Sequence, residues 1–287
     1  MVRRGRLSWD NTRKVNNLLL RTLTGFVFVV AIIGSILFSP VAFAILFLVI
    51  TILTLHEFYK LIGVKQDAGI QYITGVTGGT VLFVLASLVA MDIIGNEWLL
   101  ILLLIPLFSI LSELFSKHQK PFDTISRTLA GIIYIAIPFA LLNFFYTPAF
   151  ATNEIHPHIL LGFFLILWTS DTFAYLTGMT IGKHKLFERI SPKKTWEGTI
   201  GGFAFGLIVS WVLSIFFTDL NLVQWMGLGL ITIVFGTFGD LAESMIKRSM
   251  NVKDSGTILP GHGGLLDRFD AALLASPAVF IYLVFAI

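Results

Sequence analysis

The chain has 287 residues, of which 56% are hydrophobic and only 13% are charged. A soluble domain carries about twice that share of charge, so the excess of apolar residues must face lipid. The chain has no cysteine, which excludes disulfides, thiolate metal sites and cysteine nucleophiles. The net charge of +3 is small, so the placement of the charges is more informative than their sum.

The first apolar stretch, from about residue 18 to residue 38, follows a basic segment. It is longer than the core of a usual signal peptide and lacks a small-residue cleavage site, so we expect a retained membrane helix. Basic residues beside a membrane helix set its orientation and can touch anionic lipid. This interpretation is favoured over nucleic-acid binding, and no nucleic-acid partner is expected.

Nine apolar stretches of roughly 20 residues, the length that crosses the hydrocarbon core as a helix, succeed one another along the chain. Their approximate ranges are 18–38, 41–62, 70–90, 98–115, 128–147, 159–180, 198–217, 223–246 and 270–287. The sequence therefore predicts an all-α integral membrane protein, a polytopic bundle of about nine transmembrane helices in one membrane domain, 1–287. Residues 1–150 would supply the N-terminal helices, and residues 151–287 the catalytic helices and loops.

The basic residues all fall on one predicted side of the membrane. With nine crossings, all 20 Lys and Arg lie on the same side as the N-terminus. The opposite loops carry acidic residues instead, namely Asp92, Glu97, Glu154 and Asp219. Because basic loops stay in the cytoplasm, this pattern predicts a cytoplasmic N-terminus. We expect a multi-pass protein of the cell (inner) membrane with its active site on the cytoplasmic side.

The end of the eighth stretch carries charge at membrane depth. Asp240, Glu243 and Lys247 are spaced so that they share one helix face. Such residues usually face a cavity or a partner, although charges at a helix end can also reach back to water. The sixth stretch contains Asp171 near its middle. That carboxylate indicates a metal or substrate contact, or alternatively a structural hydrogen bond to a neighbouring helix.

A glycine-rich segment precedes the last stretch and includes Gly263 and Gly264. Glycines let backbone N–H groups converge on an anion, and the following helix N-terminus favours anions too. Asp267 and Asp270 could be N-caps, but one helix does not need two. His262 could be a metal ligand, a phosphate contact or a hydrogen-bonding loop residue, and spacing does not decide among these.

The segment before the seventh stretch begins with Ser191 and Pro192, which predict an N-cap and the first residue of a helix. Lys193 and Lys194 follow as phosphate contacts or as positive-inside anchors. Beyond them, glycines at 198, 202 and 206 form a stripe that favours close helix packing rather than chemistry.

Carboxylates and cations thus collect on one side of the membrane. Mg²⁺ is usually held by one or two carboxylates plus substrate phosphates, and lysines, arginines and glycine loops suit phosphates. The residues alone predict a Mg²⁺-dependent enzyme acting on a phosphorylated or nucleotide substrate. They do not specify the reaction.

The run from Ser244 to Asp270 resembles the signature of the phosphatidate cytidylyltransferases, the CDP-diacylglycerol synthases. It contains Ser-Met-Ile-Lys-Arg, then Lys-Asp-Ser-Gly, then Leu-Pro-Gly-His-Gly-Gly-Leu-Leu-Asp-Arg-Phe-Asp. The segments 170–175 and 191–198 are also similar to family motifs. The resemblance is strong over about residues 165–287 and weak over the first half.

The resemblance implies that CTP and phosphatidic acid react to give CDP-diacylglycerol and pyrophosphate. It also implies an all-helical homodimer in membrane lipid that requires Mg²⁺, with a second cation as an open question. Asp240 and Asp267 would hold metal, with Asp171 as a third contact, and Lys247 would join these three as a catalytic residue. The implied substrate-binding residues are Ser191, Lys193, Lys194, Arg248, Lys253, Asp254, His262, Gly263, Gly264, Arg268 and Asp270.

The sequence disfavours two other classes of membrane protein. A CDP-alcohol phosphatidyltransferase would carry an aspartate-rich motif beginning Asp-Gly with Ala-Arg after two residues, which the chain lacks. A transporter of anionic metabolites would carry an inverted repeat with broken helices at the midplane. Here the polar residues crowd one side, which favours the enzyme.

Overall fold

A computed structural model describes residues 22–64, 69–116, 118–146, 156–259 and 263–286. Within these ranges the chain forms nine helices and one short hairpin. The helices are α1 Thr22–Phe38, α2 Pro40–Leu61, α3 Gly69–Ala90, α4 Asn96–Leu114, α5 Pro121–Phe145, α6 Pro157–Ile181, α7 Trp196–Phe216, α8 Leu222–Ser249 and α9 Leu266–Ala286. Strands β1 Lys185–Phe187 and β2 Ser191–Thr195 pair antiparallel between α6 and α7.

The predicted bundle of about nine membrane helices is confirmed. Eight helices, α2 to α9, are long and apolar enough to cross a membrane, and α1 is apolar over its described length of Thr22–Phe38. Two helices are irregular: α4 begins with a 3₁₀ segment, and α5 contains a π-helical turn at Ile132–Ala136. A π turn inserted in an α-helix often marks a functional position.

Side-chain caps explain where several helices begin. Ser39 accepts a hydrogen bond from the Ala42 N–H at 3.0 Å, with Pro40 at the first position of α2. Asn221 and Gln224 form a reciprocal capping box at the start of α8, with both bonds at 2.9 Å. These partners satisfy backbone N–H groups that have none inside the helix.

Contacts between helix ends show that successive helices run in opposite directions. At one end, called here the site end, the Arg127 guanidinium at the start of α5 donates to the Ile62 carbonyl after α2 at 3.1 Å. At the same end, Lys194 of the hairpin pairs with Asp240 of α8. The described Lys and Arg residues all belong to segments at this end: Lys60, Lys120, Arg127, Lys183, Lys185, Arg189, Lys193, Lys194, Lys247, Arg248, Lys253 and Arg268.

The opposite end is joined by a different set of contacts. His156 and His158, at the start of α6, place their Nδ1 atoms 2.8 and 3.0 Å from the two oxygens of Asp219. The Gln224 amide of α8 donates to the Ala286 carbonyl of α9 at 2.7 Å. At this end, the bonds join the start of α6 to the α7–α8 connection and the start of α8 to the end of α9.

An aromatic core joins the first half of the chain to the last helix. Phe47 of α2 is fully buried, with ring centroids 4.2 Å from Phe43, 5.8 Å from Phe139 and 5.6 Å from Phe269. Since these rings come from α2, α5 and α9, burial between them fixes the N-terminal helices against the C-terminal ones.

The glycine stripe of α7 packs against α6, as predicted. A Cβ on Gly202 would lie 2.6 Å from the Ser170 carbonyl oxygen and 2.9 Å from the Ala174 Cβ. A Cβ on Gly198 would lie 2.6 Å from the Ala174 carbonyl oxygen. Only hydrogen leaves room for such close backbone contact, so this stripe sets the distance between α6 and α7.

Candidate functional site

A cavity of about 510 Å³ opens at the site end between α6, the hairpin, α7, α8 and α9. This volume is within the usual range for small-molecule sites. The lining residues are Ser170, Asp171, Ala174, Tyr175, Gly178, Met179, Lys193, Lys194, Thr195, Gly198, Thr199, Thr237, Asp240, Asp267 and Asp270. The cavity therefore brings together four carboxylates and two lysines that lie far apart in the sequence.

The hairpin places the paired lysines on the cavity wall. The prediction that Ser191 caps a helix beginning at Pro192 is wrong, because Ser191 to Thr195 form strand β2. Thr195 is the actual N-cap of α7, and its hydroxyl accepts from the Gly198 N–H at 3.2 Å. Extended backbone lets Lys193 and Lys194 project from a strand edge, and Ser191 is outside the residues that line the cavity.

Asp240 of α8 is half-buried and pairs with Lys194 across the cavity, with Oδ2 and Nζ 2.5 Å apart. Asp171 of α6 lines the same cavity and interacts electrostatically with both of these residues. Asp270 of α9 is in electrostatic range of Asp240 and Asp171 as well. Three carboxylates thus converge on a space that one lysine partly neutralises.

Asp267 has a different environment. Its Oδ1 lies 2.6 Å from Lys247 Nζ, and Lys247 also pairs with the fully buried Glu243 one turn earlier on α8. Its Oδ2 accepts from the Ser255 N–H at 3.0 Å and from the Gly264 N–H at 2.9 Å. The protein itself therefore holds Asp267 in one orientation at the cavity edge.

In the connection between α8 and α9, several backbone N–H groups donate hydrogen bonds to side chains of the protein. The sequence predicts that this glycine-rich backbone converges on a bound anion. In the structure, the Ser255 and Gly264 N–H groups bind the Asp267 carboxylate. Gly263 has φ of 83°, a conformation that glycine adopts without strain. The last helix begins at Leu266 rather than near residue 270, which places both aspartates in its first two turns.

Several predicted substrate residues are not part of the cavity wall. Arg248 is exposed and donates to the Val252 carbonyl at 3.3 Å. Lys253, Asp254 and Arg268 are exposed as well. Neither these residues nor Lys247, Gly263 and Gly264 are among those that line the cavity. His262 lies outside the described residues.

Sequence reasoning missed contributions from the N-terminal half. Glu57 of α2 is 3% exposed and binds the α8–α9 connection through Ser255 and Leu265. Tyr134, in the π turn of α5, has a buried hydroxyl without a hydrogen-bond partner among the described residues, and it interacts electrostatically with Glu243 and Asp270. A glutamate inside an apolar stretch was the available signal for Glu57. Tyr134 had none.

The donor chemistry of the cavity fits a hard cation such as Mg²⁺. Carboxylate oxygens are its preferred protein ligands. In the described part of the chain, no cluster of three or more acidic, His or Cys side chains is close enough to hold a metal by itself. Mg²⁺ is usually held by one or two carboxylates together with substrate phosphates.

Comparison with known proteins identifies relatives along nearly the whole chain. Residues 19–286 match the model of the cytidylyltransferase family. A phosphatidate cytidylyltransferase of Staphylococcus haemolyticus is 37% identical over 274 residues, covering 92% of this chain and 98% of the relative. One from Staphylococcus aureus is 45% identical over 180 residues, covering 62% of this chain and 66% of the relative.

Proposed function

Because this chain belongs to the cytidylyltransferase family, we propose that it transfers the cytidylyl group of CTP to phosphatidic acid. The products are CDP-diacylglycerol, a precursor for phospholipid synthesis, and pyrophosphate. The observation that carries the proposal is the full-length similarity to a relative named for this activity. The cavity supports it, since lysines and carboxylates together suit a triphosphate and its cation.

The reaction joins two anions. An oxygen of the lipid phosphate attacks the α-phosphorus of CTP, a new P–O bond forms, and the bond to the β-phosphate oxygen breaks as pyrophosphate leaves. Little covalent chemistry is asked of the protein, so catalysis consists of positioning and charge stabilisation. Lys193 and Lys194, on the cavity wall, supply positive charge for the phosphates.

We propose that Asp240 and Asp267 hold Mg²⁺, with Asp171 as a third contact. When bound, Mg²⁺ would neutralise phosphate oxygens and stabilise the charge that develops in the transition state. The pairing of Asp240 with Lys194 supports this assignment, because substrate phosphates can take over the lysine and leave the carboxylate for a cation. Lys247 would keep Asp267 ionised and oriented.

The test of the reaction uses purified protein in detergent with CTP and phosphatidic acid. We expect a CDP-lipid and pyrophosphate to form in equal amounts, only with a divalent ion such as Mg²⁺. An unchanged rate in excess EDTA would contradict the metal role. Consumption of CDP-diacylglycerol to load an alcohol would show the phosphatidyltransferase class instead.

The membrane orientation is a separate proposal, with the site end in the cytoplasm of the cell. Single cysteines can report it because the chain has none. In intact cells, Gly95→Cys should react with an impermeant maleimide and Phe187→Cys should not. The reverse result would contradict the orientation. We also propose a homodimer in membrane lipid, which the mass of the protein–detergent complex tests.

A further inference from the structure

Glu57 lies near the site end of α2, far in sequence from the residues that line the cavity. Its side chain is buried, with 3% of the residue exposed. A carboxylate buried inside a membrane-type helix is costly unless it is hydrogen-bonded. Its described hydrogen bonds come from the α8–α9 connection, so this cost is offset only when that connection is in place.

The two hydrogen bonds hold the α8–α9 connection at two points, one near its middle and one at its end. Ser255 Oγ donates to Glu57 Oε1. On the far side, the Leu265 N–H donates to Oε2 at 2.9 Å. One rigid carboxylate thus clamps points ten residues apart, immediately before α9 begins.

Glycines next to both of these points make room for this clamp. A Cβ on Gly256 would lie 2.8 Å from the Glu57 Cδ, and a Cβ on Gly264 would overlap the Glu57 carboxylate. The connection therefore packs closely around Glu57. Glycine at these two positions lets the backbone contact the carboxylate.

The same residues that Glu57 holds also orient Asp267. The Ser255 hydroxyl, which donates to Glu57, lies 3.0 Å from Asp267 Oδ2, and the Ser255 N–H is 3.0 Å from the same oxygen. Gly264, adjacent to the clamped Leu265, donates its N–H to that oxygen at 2.9 Å. If these two points of the connection move, Asp267 loses its partners at the cavity edge.

We propose that Glu57 is a positioning residue for cytidylyl transfer, acting through Ser255 and the Gly264–Leu265 backbone to hold Asp267 at the cavity. Glu57 is outside the cavity lining, so its effect is indirect. The inference rests on the proposed function for its kinetic consequence. Its structural part, the clamp, stands independently of the reaction.

The test variant is Glu57→Gln, which keeps the size of the side chain but replaces one acceptor oxygen with an NH₂ donor. We expect kcat per folded molecule to fall by about 10- to 100-fold, because small misplacements of catalytic groups have effects of that order. KM for CTP and for phosphatidic acid should change less than about threefold, since the lysines remain in place. Hydrogen exchange of the 255–265 backbone should accelerate while the rest of the bundle is unchanged.

Glu113→Gln is the matched control. Glu113 is also a buried carboxylate of the N-terminal half, but its hydrogen bonds go to Gln71 and His118. Its kcat and its exchange at 255–265 should equal those of the unmodified chain. Ser255→Ala, which removes the shared hydroxyl, should reproduce the Glu57→Gln phenotype, and the double variant should be less impaired than additivity predicts.

Three results would overturn the inference. The first is near-normal kcat and loop exchange in Glu57→Gln. The second is accelerated exchange across the whole bundle with normal turnover in the folded fraction, which describes a purely structural residue. The third, decisive if Glu57→Gln does not fold, is normal kcat and exchange in Ser255→Ala. A chain that makes no CDP-lipid at all would contradict the proposed function, and the exchange data would still test the clamp.

Discussion

Glu113 on α4 and Asp240 on α8 are both carboxylates inside a bundle of apolar helices, but their partners differ. Glu113 accepts from the Gln71 amide at 3.0 Å and lies 2.7 Å from the His118 ring. Gln71 is itself bonded in both directions to Ser109. Donors and acceptors in this α3–α4 cluster bond to one another, so the cluster joins two helices, and its residues are not part of the cavity wall at the site end.

The carboxylates around the cavity are not matched in this way. Asp171, Asp240 and Asp270 face the same space, and Lys194 forms an ion pair with only one of them. Asp171 is exposed, and Asp240 and Asp270 are half-buried. A surplus of negative charge that is open to a cavity in this way suits a ligand that brings positive charge. Whether a carboxylate has protein partners or faces the cavity thus distinguishes polar residues that stabilise the bundle from those proposed to act on a substrate.

The largest expected effect comes from removing charge at the cavity. Asp240→Asn should lower turnover per folded molecule by a factor on the order of 10³, because it removes a proposed cation ligand while keeping the shape. Asp267→Asn should lower it similarly. Since Asp267 also binds Lys247 and two backbone N–H groups, its stability must be measured alongside. Near-normal turnover in folded Asp240→Asn would remove that residue from the metal site.

The next effect concerns the lysine that pairs with Asp240. Lys194→Met keeps the length of the side chain but removes its charge, and we expect kcat/KM for CTP to fall about 10²-fold. Lys185→Met is the control, because Lys185 is exposed on β1 of the same hairpin and is not part of the cavity wall. Equal losses in the two variants would mean that general surface charge, not the cavity, binds the nucleotide.

A smaller effect is expected from the spacing of the cavity walls. Gly202→Leu places a side chain where α6 and α7 touch, and should destabilise the bundle by about 2 kcal/mol. Gly34→Leu is the control, since a Cβ there meets nothing within 4 Å. Thermal unfolding in detergent measures both variants. Equal midpoints would show that the stripe is not a tight contact.

The smallest effect is expected in the α3–α4 cluster. Glu113→Gln should lower stability by about 1–2 kcal/mol, because one charged hydrogen-bond acceptor is lost, and leave turnover per folded molecule unchanged. Denaturation combined with the CDP-lipid assay measures both quantities. A loss of turnover without a loss of stability would erase the distinction between the two clusters.

The sequence was informative for features that depend on residues close together in the chain. Helix length and apolar runs predicted the positions of the nine helices, because hydrocarbon thickness fixes the span. The largest error is in α5, which begins at Pro121 rather than near residue 128. The glycine stripe predicted a close helix contact, and the structure shows that the partner is α6. Ser191 and Pro192 were misread, because a cap followed by proline is compatible with both a helix start and a strand at a sheet edge.

The sequence by itself determined the class of the fold, the motifs and the side chains that chemistry requires. Only the tertiary structure decided which of them meet. Asp240 pairs with Lys194, Asp267 with Lys247, and Glu57 reaches the connection before α9 across about 200 residues of chain. A local sequence pattern predicts which residues share one face of a helix. Which side chains pair with one another depends on how several helices pack. A single glutamate in an apolar run shows how deep the side chain lies in the membrane, but it does not show which residue it will contact.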